Sequence, residues 1–74
     1  MEIHSIKIDG KKFKQYKTYK DALMDIELQI KINPNSNIEI ILEDFCDYGN
    51  LDTCCKIYLL CEYKNNTYFK YYNE

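Results

Sequence analysis

Residues 19–32, YKDALMDIELQIKI, carry more apolar surface than one face of a helix can bury, and this excess constrains the fold more than any other feature. At about 100° per residue, Tyr19, Ala22, Leu23, Ile26 and Ile30 fall on one stripe. Met24, Leu28 and Ile32 recur at i, i+4 and i+8 on the opposite side, between Asp21, Asp25 and Lys31. A helix laid on a sheet needs only the first stripe. The second is expected to be an interface, with a partner or with a second copy of the chain. Residues 26–32 also alternate strictly between apolar and polar, as a half-buried strand does. Helix is the expected state, because Leu, Met, Glu, Gln and Lys are good helix formers and a helix ending at residue 25 would be short. Thr18 is positioned as its N-cap, with Asp21 three residues on in place of the usual Glu or Gln of a capping box. Asn33-Pro34 should end it, since the residue before proline avoids the α region.

Strands are expected on both sides of this helix. Residues 3–8 alternate loosely. Asp9-Gly10 is a strong hairpin signal, because a primed turn needs positive φ. Residues 11–17 should return as a lysine-rich edge strand with Phe13 inward, the lysines discouraging edge-to-edge aggregation. Residues 37–45 form a third strand, and residues 53–63 and 67–72 a C-terminal hairpin. A three-residue turn at Lys64-Asn65-Asn66 would pair Cys61 with Phe69 and Leu59 with Tyr71. That register gathers Cys55, Ile57, Leu59, Cys61, Phe69 and Tyr71 on one face, and it is preferred because register follows the buried pattern. It leaves Tyr58, Tyr68 and Tyr72 with Lys56 and Lys70 on the outer face. A two-residue turn at Asn65-Asn66 would instead set Lys70 opposite Cys61. The expected fold is α+β: one domain with an antiparallel sheet of four or five strands and one helix packed on one face, in the order ββαβββ.

Neither the cysteines nor the single histidine supply a reaction. Cys54 and Cys55 point to opposite faces of a strand. Cys55 and Cys61 lie about 20 Å apart at about 3.3 Å per residue, too far for one zinc ion. Buried reduced thiols are expected, with no metal, no cofactor and no catalytic residue. His4 lacks a third group to orient a nucleophile pair. Asp44 to Asp52 has the glycine of a calcium loop at Gly49, but Cys46 and Tyr48 occupy ligand positions that a hard cation does not favour.

Charge is segregated. Residues 1–20 carry +4, residues 21–52 carry −7 and residues 53–74 carry +1, within a net charge of −2 over 74 residues. Glu43, Asp44, Asp47 and Asp52, around Tyr48 and Leu51, form the expected partner-binding segment, an acidic patch with aromatic and aliphatic anchors. The N-terminus has no apolar stretch of signal-peptide length and no window approaches a membrane span, so a cytoplasmic chain with no membrane contact is expected. Ten Ile, ten Lys, seven Asn and no Arg point to a low-GC source.

These features suggest a small non-catalytic accessory protein of phage or mobile-element type. It would inhibit a larger macromolecule by surface contact, in the manner of an anti-CRISPR or anti-restriction inhibitor. Its acidic patch would stand in for nucleic acid before a protein target such as a nucleic-acid-binding enzyme. A Lys/Tyr nucleic-acid-binding module and a homodimeric structural domain are the alternatives.

Overall fold

The protein is described by a computed structural model over residues 2–45 and 54–72. Five strands and one helix follow in the order β1 (Glu2–Ile8), β2 (Lys11–Tyr16), α1 (Tyr19–Ile32), β3 (Ile38–Phe45), β4 (Cys54–Lys64) and β5 (Thr67–Lys70). The strands form one antiparallel sheet, β2-β1-β3-β4-β5. The helix crosses one face of the sheet and leaves the other open.

Helix α1 spans all of residues 19–32, so the alternating pattern of residues 26–32 yields to helix propensity and to the stripe. Thr18 caps it, its Oγ1 accepting the Asp21 N–H at 3.1 Å. Asn33 ends it, its N–H donating to the Gln29 carbonyl at 2.8 Å. Tyr19, Ala22 and Ile26 are buried against Ile6, Ile38 and Ile40, with Leu23 and Ile30 packed at the margin. Each fully buried aliphatic side chain contributes about 1.5–3 kcal/mol. Gln29 is buried as well, held by a hydrogen bond to Asp25 Oδ1 at 3.3 Å.

Both hairpins close through two-residue turns with positive φ at both central residues: Asp9 (51°) and Gly10 (83°), then Asn65 (52°) and Asn66 (61°). This is the backbone of a type I′ turn, whose twist matches that of the strands. The first turn is also pinned to the start of β3. Asp9 Oδ1 accepts the Asn37 N–H at 2.9 Å, and the Asp9 N–H donates to the Asn37 carbonyl at 2.8 Å. The second turn overturns the register expected at the C-terminus. Cys61 faces Lys70, Glu62 faces Phe69 and Tyr63 faces Tyr68. Asparagine tolerates the left-handed region, so the Asn65-Asn66 pair suffices for the tighter turn.

A β-bulge then reverses the face assignment along β4. Ile40 pairs with Cys61 and Ile41 with Leu59, which leaves Leu60 as the extra residue. Leu60 and Cys61 both enter the core. On the other side of the bulge Tyr58 opposes Leu42 on the helix side, and Ile57 and Leu59 turn to the open face. Another bulge, in β2, displaces Phe13. Ile6 pairs with Lys14 and Lys7 with Lys12, so Phe13 is unpaired and half-exposed rather than inward.

Tyr16 joins β2 to the helix by donating its hydroxyl to Asp25. Partial burial, that hydrogen bond and the Asp25 charge together hold the phenol well above its ordinary pKa of 10.0. The neutral phenol is therefore favoured in the folded state. Its contribution to stability is intact below the unfolded value and is lost as pH rises toward the folded one. Urea stability of the wild-type protein should fall more steeply from about pH 9 to about pH 12 than that of Tyr16→Phe. A second substitution tests the first turn. A Cβ on Gly10 would meet no atom within 4 Å, so the cost of Gly10→Ala comes from φ alone. Gly10→Ala should destabilise by about 1 kcal/mol in urea unfolding, and Gly10→Asn by less.

Candidate interaction surface

The open face of the sheet divides along the strands. At one end, a row of charges crosses it, with Lys12 of β2 beside Lys7 of β1, then Glu39 of β3 and Glu62 of β4. Phe69 of β5 extends that row beside Glu62, and toward the other end Ile57, Leu59 and Tyr71 also lie in solvent. Ile57 is 62% and Tyr71 56% exposed, large values for side chains of this size. The Phe69 and Tyr71 rings stack at 6.3 Å with planes 10° apart. The Tyr71 hydroxyl donates to Glu62 Oε1 at 2.6 Å, which raises its pKa because ionisation would break that bond.

Beneath this surface lies a buried charge. Glu43 is only 5% exposed. Lys12 Nζ approaches its two carboxylate oxygens at 2.7 and 2.9 Å, and Ser5 Oγ donates to it at 3.3 Å. Three adjacent strands thus meet at one carboxylate. The arrangement neutralises a buried anion.

On the helix side, Tyr19 organises a second polar cluster. Its hydroxyl donates to the Tyr72 carbonyl at 2.9 Å and lies 2.8 Å from Cys61 Sγ. Its ring meets that of Tyr72 edge to face at 5.2 Å. The Tyr68 phenol is also held above its ordinary pKa, first by burial and then by its proximity to Cys61 and to the Glu27 carboxylate. A cleft of about 690 Å³ opens nearby, with Glu2, His4, Lys17, Asp44 and Tyr58 among its lining residues. Among the described residues, no three His, Cys, Asp or Glu side chains are placed to hold a metal ion. No helix of the described residues is long and apolar enough to cross a membrane.

The residues expected from the sequence to bind a partner are dispersed. Glu43 lies under the open face in its ion pair, whereas Asp44 lines the cleft on the helix side. Asp47, Tyr48, Leu51 and Asp52, with Cys46, lie outside the described residues. Met24, Leu28 and Ile32 all point to solvent on the back of the helix, Met24 at 66% exposure. The outer tyrosine–lysine platform is not formed as expected. Tyr58 opposes Leu42, Tyr68 opposes the buried Tyr63 and Tyr72 packs on Tyr19, all on the helix side. Sequence reasoning instead placed Ile57, Leu59, Phe69 and Tyr71 in the core. The signal that could have exposed them is the run Leu59-Leu60-Cys61, where alternation fails and an extra residue fits.

Compared with known protein families, curated proteins and solved structures, the chain matches none.

The ion pair between half-exposed Lys12 and buried Glu43 carries its own test. Among the described residues, Lys12→Met leaves the Glu43 carboxylate with Ser5 as its partner, and it should destabilise by about 1–3 kcal/mol in chemical denaturation. Lys12→Met combined with Glu43→Leu should recover most of that loss, because the charge needing compensation is gone.

Proposed function

We propose that this protein is a non-catalytic accessory protein that inhibits or modulates a larger macromolecule by surface contact, with the open face of β4 and β5 as its principal contact. The observation carrying this reading is the exposed group Ile57, Leu59, Phe69 and Tyr71 on a rigid sheet. Apolar patches of this kind are characteristic of interaction sites, and aromatic anchors rimmed by charge are the usual centre of a protein contact. The charged row of Lys7, Lys12, Glu39 and Glu62 supplies such a rim.

The sharper form of the reading is an anti-restriction or anti-CRISPR type of inhibitor, of phage or mobile-element origin, acting in the cytoplasm on a nucleic-acid-binding enzyme. Its support is the charge of −7 over residues 21–52. Ile57 pairs with Glu43 and Lys56 with Asp44 near the end of β3, so the apolar surface adjoins the start of acidic residues 44–52. Carboxylates there would steer a basic protein surface toward the apolar anchors. Glu43 has a different role on this reading, since it lies buried beside Ser5 and anchors the half-exposed Lys12 of the rim.

Affinity capture from a low-GC bacterial lysate tests the proposal. The wild-type chain should retain a nucleic-acid-binding enzyme, and added nucleic acid should compete for it. Ile57→Asp with Leu59→Lys should abolish retention without lowering the melting temperature. Reversal of Asp44, Asp47 and Asp52 to Lys should chiefly slow association and flatten its salt dependence. Undiminished retention by the open-face variant would remove that face from the function. Unchanged association by the charge-reversed variant at low salt would remove electrostatic mimicry.

A further inference from the structure

We propose that β5 is the pairing edge of a two-fold dimer, in which Thr67–Lys70 of two copies run antiparallel with Phe69 opposite Phe69 of the second copy. The two edges of the sheet differ sharply. β2 carries Lys11, Lys12 and Lys14 and is broken by the Phe13 bulge, two devices that oppose pairing with another strand. β5 pairs regularly with β4, holds a single lysine and is exposed along its whole length. Tyr68 and Phe69 in the strand, and Tyr71 just beyond it, have high strand propensity.

Hydrogen-bond phase selects the register. In a two-residue hairpin, the residues flanking the turn form a hydrogen-bonded pair, here Lys64 and Thr67. Alternation then directs the backbone groups of Thr67 and Phe69 toward β4, and those of Tyr68 and Lys70 away from the sheet. Residues paired across a two-fold axis must share a face, so the axis passes through one residue. Centred on Phe69, Tyr68 of each copy exchanges both backbone hydrogen bonds with Lys70 of the other. Centred on Lys70, two like charges would oppose one another. Centred on Tyr68, Lys70 would have to pair with Asn66, which lies in the turn at φ 61°.

Charge complementarity favours the same register. Lys70 of one copy comes to lie beside Tyr68 of the other, on the helix side. The Glu27 carboxylate is near enough to that Tyr68 hydroxyl to raise its pKa, and an ammonium arriving beside Tyr68 would be attracted to it. On the open face, Thr67, Phe69 and Tyr71 meet Tyr71, Phe69 and Thr67. The dimer therefore joins the apolar clusters of both copies into one continuous surface. It stands independently of the reading of Ile57 and Leu59 as a partner contact, since neither residue belongs to the β5 pairing.

The short edge makes a small interface, below about 1,200 Å², so the dimer should be observed at about 100 µM and should dissociate on dilution. Sedimentation of the full chain at that concentration should give the dimer mass. Lys70→Glu should shift it to monomer, and Lys70→Glu with Glu27→Lys should restore the dimer. A register-specific crosslink provides a second measurement, with Cys46, Cys54 and Cys55 replaced by serine and Cys61, which faces residue 70 in the same copy, replaced by alanine. There Phe69→Cys should form an intermolecular disulfide on mild oxidation. Lys70→Cys should not, because the two thiols would sit beyond disulfide reach. A monomer at about 100 µM would overturn the proposal. So would a dimer indifferent to Lys70→Glu, a dimer lost with Met24→Lys and Leu28→Glu instead, or oxidation that crosslinks the Lys70→Cys variant in preference to the Phe69→Cys variant.

Discussion

The extra residue at Leu60 decides which side of β4 faces water. Antiparallel pairing alternates faces strictly, so one inserted residue sends every later side chain to the opposite side. The bulge lets Leu60 and Cys61, neighbours in sequence, both enter the core beneath the helix. The Leu60 carbonyl also accepts the N–H groups of Tyr71 at 2.9 Å and Tyr72 at 3.2 Å, which draws the chain beyond β5 across the bulge. Tyr72 is thereby brought to Tyr19, and the Tyr19 hydroxyl closes the arrangement on the Tyr72 carbonyl. The core, the open-face cluster and the end of the hairpin all depend on this insertion.

The polar groups of the fold mostly join one element to another. Glu43 draws together β1, β2 and β3 through Ser5 and Lys12. Tyr63 donates to the Pro34 carbonyl at 2.9 Å, linking β4 to the connection after the helix. Asp25 receives Tyr16 from the edge strand and Gln29 from its own helix. In a domain of this size a single core supplies only a few kcal/mol of net stability, so such cross-element bonds carry a meaningful share. They also absorb acidic groups: Glu43 and Asp25 serve the interior structure, and the acidic surface is smaller than the sequence charge suggests.

Among the described residues, two apolar groups lie in solvent on opposite sides of the sheet. Met24, Leu28 and Ile32 line the back of the helix, while Ile57, Leu59, Phe69 and Tyr71 line the open sheet. Isolated exposed apolar residues are ordinary on proteins, and grouping on a rigid sheet distinguishes the second set. That set also borders β5, whose regular strand contrasts with the lysine-rich, bulged β2 edge.

Local sequence determined much of this protein. The stripe from Tyr19 to Ile30 and the Thr18 cap specified the helix, and Asp9-Gly10 specified the first hairpin, because these signals act over a few residues. The α+β order of elements follows from them, and the second helix stripe was legible as surplus apolar surface. Tertiary structure alone decided the faces of β4 and β5. The alternating residues 55–61 and 67–72 fit either register, and the choice depended on a two-residue asparagine turn combined with a bulge placed against β3. It also decided that Glu43 is an internal counter-ion rather than a surface charge, since Lys12 and Ser5 are distant in sequence and meet it only across three paired strands. A period of two tells which residues share a side, but only the packed helix tells which side is inside.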